Sequence, residues 1–326
     1  MKYKNTVVCF LGVWLISGCA NLDWQPERPG VAYISERSTD IFSQYMPIVV
    51  SENPRRDYNQ IGHPIAAYNA QGQVDVSISI DEAVVFVDQQ KFRTKKSNYI
   101  NLIYRIHFTQ APFSLLPFSL TTGKNVGLIF IVTLNVEQQP VLLTTVHTCG
   151  CYVGVVPTNY LAEELYPKNW DTARQSVFGA ELPGVLQYPR EKGDLFRPVI
   201  YLSNASHRVV HMDVQRRAEI VEQYAHKKIR IAPLKDLEEL QLPDGKTVSL
   251  FEGKGLRKGY VKGAFKPFEF LFMSWWALDP RIGEDKKYGD SSETGAVFYT
   301  SLKPWARRKS DMWNFDRFLE YWGWRL

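Results

Sequence analysis

Residues 99–108 show the clearest alternation of apolar and polar side chains in the chain. Successive side chains of a β-strand lie on opposite faces of the sheet. One face would carry the apolar set Ile100, Leu102, Tyr104, Ile106 and Phe108, and the other would carry Asn101, Arg105 and His107. The pattern therefore predicts a half-buried strand whose apolar side faces a core.

Other segments extend this sheet and place the helices late in the chain. Residues 126–134 are apolar at almost every position, which is typical of a central strand covered on both faces. An Asp-Gly pair at 244–245 predicts a hairpin, and helices are predicted at 268–278 and 311–324. Residues 74–80, 83–87 and 198–202 are further candidate strands. We expect an α+β fold: a mixed, mainly antiparallel β-sheet core with helices concentrated in the C-terminal third.

The first nineteen residues have the features of an export signal. Lys2 and Lys4 precede an apolar stretch, Val7–Ile16, which is too short to span a bilayer comfortably. The stretch ends in Leu15-Ile16-Ser17-Gly18-Cys19, which resembles the lipobox of bacterial lipoproteins. This resemblance covers the N-terminal segment alone. It implies that residues 1–18 are removed and that Cys19 becomes the acylated first residue. The alternatives are a secretory signal cut at a nearby small residue and an uncleaved anchor.

The lipoprotein resemblance also implies a location. In that family an aspartate after the cysteine favours retention in the inner membrane, and here the position is Ala20. We therefore expect an outer-membrane lipoprotein with a soluble domain that faces the periplasm. Acyl chains stabilise membrane attachment by about 0.8 kcal/mol per buried methylene, so two or three chains hold a domain at a bilayer without a transmembrane helix.

Composition and breaker residues suggest one domain behind a tether. Residues 19–45 are mixed and polar and are interrupted by Pro26, Pro29 and Gly30, so they are predicted to connect the lipid to a single globular domain at 46–326. The formal net charge of +5 is too even to indicate a nucleic-acid partner. The expected partners are the membrane, through the lipid, and envelope proteins or glycans.

Four cysteines constrain the chemistry of the chain. Cys9 lies in the signal and Cys19 carries the lipid, which leaves Cys149 and Cys151, separated by one glycine. A single close pair does not form a disulfide scaffold. A bond between them would close a small, strained ring, which favours a redox role over a structural one.

A histidine precedes the cysteine pair on the same predicted strand face. In an extended chain His147, Cys149 and Cys151 share a face, and Gly150 is expected to supply the bend that brings all three together. His207, His211 and Asp213 form a second cluster, in which Val209-Val210 favours a strand. Two histidines four residues apart on a strand are about 13 Å apart, so at most one of them can join the cysteines. We expect this to be His211, with Asp213 nearby.

Several hypotheses for these residues stay open. His147, Cys149, Cys151 and His211 are candidate ligands for a transition metal such as zinc. The cysteines are also candidates for a dithiol–disulfide couple in which His147 lowers a thiol pKa. A cysteine hydrolase or acyltransferase would use His211 or His207 as its base. A binding or assembly factor would need none of them, since free cysteines are often simply buried.

Tryptophans and acidic residues cluster near the C-terminus. Six of the nine tryptophans lie between 275 and 324, where they are predicted to fill the core rather than to form a platform for a sugar or a lipid. The acidic loop 279–285 is interrupted by Arg281 and followed by Lys286 and Lys287, so it does not match an EF-hand.

Overall fold

The computed structural model describes residues 30–115, 118–189 and 196–326. Cys9, Cys19 and the predicted signal lie outside the described residues. Within the described ranges, no helix is long and apolar enough to cross a membrane. Ten strands form one large curled sheet.

The elements have the following bounds. The strands are β1 Gly30–Ser35, β2 Ile48–Glu52, β3 His63–Tyr68, β4 Val74–Ser79, β5 Val84–Arg93, β6 Asn98–Ala111, β7 Gly123–Leu134, β8 Pro140–His147, β9 Gly154–Pro157, β10 Arg174–Val177, β11 Ala180–Pro183, β12 Phe196–Leu202, β13 Val209–Arg216, β14 Ala225–Pro233, β15 Leu240–Gln241 and β16 Thr247–Val248. The α-helices are α1 Ile41–Tyr45, α2 Arg217–Gln223, α3 Pro267–Ala277, α4 Ser291–Thr294 and α5 Phe315–Tyr321.

The predicted fold class is confirmed. The ten strands of the large sheet follow the order β13-β12-β2-β1-β14-β5-β6-β7-β8-β9. The large sheet is mixed, because β14 runs parallel to both β1 and β5 and β12 runs parallel to β2, whereas its other neighbouring pairs are antiparallel. Helices are few and lie mainly in the C-terminal part. The Asp-Gly pair forms the turn between β15 and β16, as predicted.

Strand β6 lies where the alternation predicts it, but its polar face is not exposed. The apolar face joins the core inside the curled sheet, and Ile103, on the other face, joins a second core that includes Phe315 and Phe318 of α5. Asn101 and Arg105 on that face are fully buried. Asn101 accepts a hydrogen bond from Thr133 at 2.7 Å. The prediction of a half-buried strand is therefore wrong, because C-terminal elements cover the second face.

The curl brings distant parts of the sheet together. His147, at the end of β8, is hydrogen-bonded through Nε2 to the carbonyl of His207 at 3.1 Å, in the connection from β12 to β13. The β10–β11 hairpin packs against both β9 and β13, the two edge strands of the large sheet. The end of β8 therefore lies inside the molecule rather than at an open edge.

Residues 30–45 belong to the fold, so the predicted tether is wrong for this part. Strand β1 is buried along its whole length and pairs with both β2 and β14. Helix α1 begins behind Asp40, whose carboxylate accepts a hydrogen bond from the Ser43 N–H at 2.9 Å. The tether was predicted because the local sequence is polar and contains two prolines. Strand β1 forms nevertheless, because it is stabilised by its distant partner β14.

Asp40 offers a test of this placement. Asp40→Ala is expected to lower the free energy of unfolding by about 1 kcal/mol, because the α1 N-terminus loses its cap. Asp40→Asn keeps a capping oxygen and should stay within about 0.5 kcal/mol of the parent. Urea denaturation followed by circular dichroism measures both variants. Equal stability of the parent and Asp40→Ala would mean that this segment does not contribute to the folded domain.

Candidate functional site

The segment after β8 is a tight turn that closes around the two thiols. The Gly150 N–H donates to the His147 carbonyl at 2.7 Å, and the His147 N–H donates to the Cys151 carbonyl at 3.0 Å. Gly150 has a φ of 93°, which a side chain disfavours, so it supplies the expected bend. The Cys151 N–H approaches the Cys149 sulfur at 3.4 Å. Both cysteines are free; Cys149 is buried and Cys151 is partly exposed.

The two thiols have opposite pKa shifts. The Cys151 S–H donates to the Cys149 sulfur, which lowers the Cys149 pKa although burial opposes this, and nearby Lys266 lowers it further. The same hydrogen bond, together with burial, raises the Cys151 pKa well above its ordinary value. The first proton is therefore lost from Cys149 while Cys151 keeps its own.

A buried ion pair lies beside the thiols. Lys266 and Asp285 are 2% and 1% exposed, and the Lys266 Nζ lies 3.3 Å from an Asp285 carboxylate oxygen. The other oxygen accepts hydrogen bonds from the Thr148 hydroxyl and, at 3.3 Å, from the Gly127 N–H. Burial alone would lower the Lys266 pKa, but Asp285 and Cys149 raise it well above its ordinary value. Lys266 is therefore a permanent cation facing the thiols.

A second buried lysine fixes the backbone of the turn. The Lys286 Nζ donates to the Cys149 carbonyl at 2.6 Å and lies 4.5 Å from the centre of the Tyr299 ring. The Lys286 N–H donates to the Thr148 carbonyl at 2.9 Å. Lys286 and the groups that its ammonium contacts are buried. The turn therefore cannot open without breaking charge-assisted hydrogen bonds.

Glu269 adds a carboxyl group that is not fully hydrogen-bonded. It is 2% exposed, and its Oε2 atom has no hydrogen-bond partner among the described residues. Burial raises its pKa, although Lys266 opposes the shift. Its charge would raise the pKa of both cysteines. Glu269 also lies directly over Gly283, where a Cβ would come within 1.2 Å of Oε2, so the loop from 279 to 285 closes this side of the site.

The histidines do not join the thiols in the way expected. The His147 Nε2 contacts the His207 carbonyl, and burial followed by nearby Lys266 lowers the His147 pKa to about 3. The His207 Nε2 contacts the Tyr58 carbonyl at 2.7 Å, and its ring stacks on Phe108. Burial lowers the His207 pKa to about 4. The cation that stabilises a Cys149 thiolate at neutral pH is therefore Lys266, and the expectation that His147 does so is wrong.

His211 lies elsewhere, on β13. Its Nε2 is 3.9 Å from an Asp213 oxygen, and its ring lies beside Tyr201. Burial lowers the His211 pKa. Across residues 30–115, 118–189 and 196–326, no group of three or more His, Cys, Asp or Glu side chains is arranged to hold a metal ion. The structure thus pairs Cys149 with Cys151 and does not gather the four candidate ligands.

Three charged residues of the site escaped the sequence reasoning: Lys266, Glu269 and Asp285. Lys266 and Glu269 lie among apolar residues at the start of α3, and Asp285 ends the acidic loop 279–285. Charges isolated in an apolar stretch are the available signal, because a charge so placed must be paired or become neutral when the stretch is buried. Nothing local indicates that they meet residues more than 100 positions away.

The buried histidines predict a pH dependence of stability. Imidazoles protonate near pH 6.5 in the unfolded chain, but near 3 for His147 and near 4 for His207 in the folded chain. Between these values the unfolded state binds more protons, so stability is present above pH 6.5 and is lost as pH falls. Each histidine should contribute a loss of up to about 1.4 kcal/mol per pH unit.

Urea denaturation between pH 7 and pH 4.5 measures this slope. His147→Gln and His207→Gln should each flatten it, whereas His226→Gln, at an exposed position on β14, should leave it unchanged. A slope that is the same in all three variants would show that neither buried histidine is held neutral.

Comparison with protein-family models, with curated proteins and with solved structures gives no match to this chain. The site is therefore interpreted from its own geometry.

Proposed function

We propose that the protein is a lipid-anchored protein of the bacterial cell envelope whose domain carries a thiol–disulfide couple, Cys149 and Cys151. The observation that supports this most is the tight turn that places the Cys151 N–H 3.4 Å from the Cys149 sulfur, with the buried Lys266 cation nearby and a lowered pKa at Cys149. Thiol–disulfide exchange needs a stabilised thiolate and a second sulfur within reach.

The exchange runs through the more accessible sulfur. The reaction partner is a protein that carries two thiols. In the oxidised form of the chain, one thiolate of this partner attacks the Cys151 sulfur. A new S–S bond forms, and the Cys149–Cys151 bond breaks. Cys149 leaves with the electron pair as a thiolate, which Lys266 stabilises. A second partner thiolate then attacks the partner's sulfur in the mixed disulfide, and Cys151 leaves and takes a proton. The partner dithiol is oxidised, and the cysteine pair is reduced by two electrons.

The alternatives have less support. A cysteine hydrolase or acyltransferase needs a base that can take a proton near neutral pH. His147 and His207 hydrogen-bond to backbone carbonyls and have strongly lowered pKa values. A metal centre would need ligands that the described residues do not assemble. A binding or assembly factor remains the second proposal, and it predicts that both cysteines are dispensable.

A variant series separates these possibilities. The parent, Cys149→Ser, Cys151→Ser and His211→Gln are treated with oxidised glutathione, quenched with acid, alkylated and weighed by mass spectrometry. The parent and His211→Gln should lose two hydrogens and both alkylation sites, whereas each serine variant should stop at a mixed disulfide. One thiol that reacts rapidly in both the parent and Cys151→Ser, while the parent forms no disulfide, would favour a nucleophile. Stoichiometric zinc would favour a metal centre.

The location rests on the lipobox resemblance at residues 15–19. We propose cleavage before Cys19, acylation of Cys19 and residence at the outer membrane with the domain facing the periplasm. The oxidising periplasm is a compartment in which a cysteine pair can cycle. Mass spectrometry of the membrane-extracted protein should show Cys19 as the first residue with an acyl mass added. An intact residue 1 without acyl mass would contradict the anchor, and it would leave the thiol result unaffected.

A further inference from the structure

An aromatic patch covers one side of the molecule. It consists of exposed apolar side chains from α3 and from the connection between β6 and β7: Phe113, Leu115, Phe118, Phe270, Leu271, Phe272, Trp275, Trp276 and Leu278. The two segments are in contact, since the Phe113 and Phe118 rings lie 5.4 and 5.2 Å from the Phe268 ring. Contiguous exposed apolar surface of this kind marks an interaction site.

Helix α3 has no polar outer face. Its inner side is a narrow stripe that includes Glu269 and Ala277, and the buried residue Lys266 precedes its first turn. Glu269 is the only charged residue from 267 to 278, and it is buried. Leu271 and Trp275 are 62% and 73% exposed. An exposed helix face that is entirely apolar is unfavourable in water. Such a face is stabilised when an apolar medium covers it.

A basic segment borders the patch at the C-terminal end of α3. Arg307 donates to the carbonyls of Ala277 and Leu278, which ties the segment 303–309 to the helix. Lys303, Arg308 and Lys309 are exposed, and residues 302–310 contain no acid. Trp305, in the same segment, is 79% exposed. Tryptophan beside lysine and arginine is typical of surfaces that enter the interface of an anionic bilayer.

The tether enters the domain at the same end of the sheet. Strands β1, β14 and β5 are parallel and β6 is antiparallel to β5, so the start of β1 and the end of β6 lie at one end. Their registers place Ala111 level with Val31 to within about one residue along the strands. Eleven residue steps from Cys19 to Gly30 reach at most about 40 Å. A lipid on Cys19 therefore keeps a bilayer close to this end.

We infer that the aromatic patch and the basic segment 303–309 together bind the surface of a bilayer that contains anionic lipid. Leu271, Trp275 and the Phe113 region enter the boundary between headgroups and acyl chains, and Arg308 and Lys309 contact the lipid phosphates. The inference deepens the proposed function and rests on the lipid anchor that this function includes. It orients the domain with the exposed face of α3 toward the membrane and with the buried Lys266 and Glu269 on the side that faces away from it.

The test uses residues 19–326 with Cys19→Ala, which removes the acyl group, so a failure of the lipid anchor or of the thiol chemistry does not affect it. Flotation with vesicles of phosphatidylethanolamine and phosphatidylglycerol is compared with flotation with phosphatidylcholine vesicles. Binding to the anionic vesicles should be stronger by about tenfold or more and should weaken with salt. The double variant Leu271→Ser, Trp275→Ser should lose about tenfold or more of the binding, as expected for two large apolar side chains.

Matched variants identify the surface. Val136→Ser changes an exposed apolar residue at the opposite end of the sheet, between β7 and β8, and should bind as the parent does. Arg308→Gln with Lys309→Gln should remove most of the salt dependence. Circular dichroism of each variant checks the fold, which exposed positions should tolerate. Equal flotation of the parent and the Leu271/Trp275 variant would overturn the inference. The inference would also be overturned if the parent did not bind vesicles and the patch were instead required for a dimer of the parent or for a stable complex with another protein.

Discussion

Lys266→Met is expected to lower the free energy of unfolding by about 3–5 kcal/mol, because it leaves the buried Asp285 carboxylate without its cation. Methionine fills a similar volume, so the loss is electrostatic rather than a cavity. The same change removes the positive charge beside Cys149, so the pKa of that thiol should rise. Urea denaturation gives the stability, and the pH dependence of alkylation gives the thiol pKa.

Two further variants separate the buried pair from a generic loss of charge. Lys287→Met removes a lysine whose partner, Glu238, lies 2.6 Å away at a partly exposed site, and about 0–1 kcal/mol is expected. Adding Asp285→Asn to Lys266→Met neutralises the orphaned carboxylate and should recover part of the loss. If Lys266→Met were no more destabilising than Lys287→Met, the ion pair would not be buried as described.

Gly150→Ala is expected to destabilise the protein by about 3 kcal/mol or more and to disturb the thiol pair. The residue has a φ of 93°, and a Cβ there would lie 2.0 Å from the Tyr299 carbonyl oxygen. Backbone strain of this kind amounts to about 1–3 kcal/mol, and the overlap adds to it. Because the backbone on both sides of the overlap is fixed, the turn has to shift. Thermal or urea denaturation measures the loss.

Gly179→Ala provides the matched control. Gly179 has a φ of 85°, but nothing lies within 4 Å of a Cβ built there, so only the conformational strain applies. About 1 kcal/mol is expected. Similar losses at the two glycines would show that the thiol turn does not pack against Tyr299.

The strands were predictable because their signal is local. Residues 99–108 and 126–134 alternate or are continuously apolar, and both positions were right. Burial of the second face of β6 was not predictable. A charged residue such as Arg105 is expected to be exposed. Its guanidinium instead donates to the Lys286 carbonyl at 2.8 Å, and this partner lies 181 residues away in the sequence. Strand β1 was missed for a similar reason, since its stability comes from pairing with β2 and β14.

The tryptophan-rich region shows the same limit. Apolar spacing predicted that these residues fill the core, and Trp324 is buried as expected. Trp275 and Trp305, however, are largely exposed. Apart from Glu269 and Ser274, helix α3 is apolar, so its apolar periodicity carried little information about which face turns inward. The inner face is set by Lys266 and Glu269, whose burial depends on Asp285 and the thiols.

The cysteine pair was identified from spacing alone, and its environment was not. One intervening glycine indicates that the two cysteines can lie close together, and the turn at 147–151 places the Cys151 N–H 3.4 Å from the Cys149 sulfur. The choice of histidine as the neighbouring cation followed from sequence proximity. Burial makes imidazoles neutral, whereas a lysine with an acidic partner keeps its charge, so the more distant Lys266 takes that role.

A redox titration of the purified protein tests the thiol–disulfide couple most directly. Across ratios of reduced to oxidised glutathione, alkylation and mass spectrometry count the free thiols at equilibrium. We expect Cys149 and Cys151 to be lost and regained together in one two-electron transition, with a loss of two hydrogens and a slope of about 30 mV per tenfold change. Two independent glutathione adducts, or two thiols that stay free under oxidising ratios, would contradict the account.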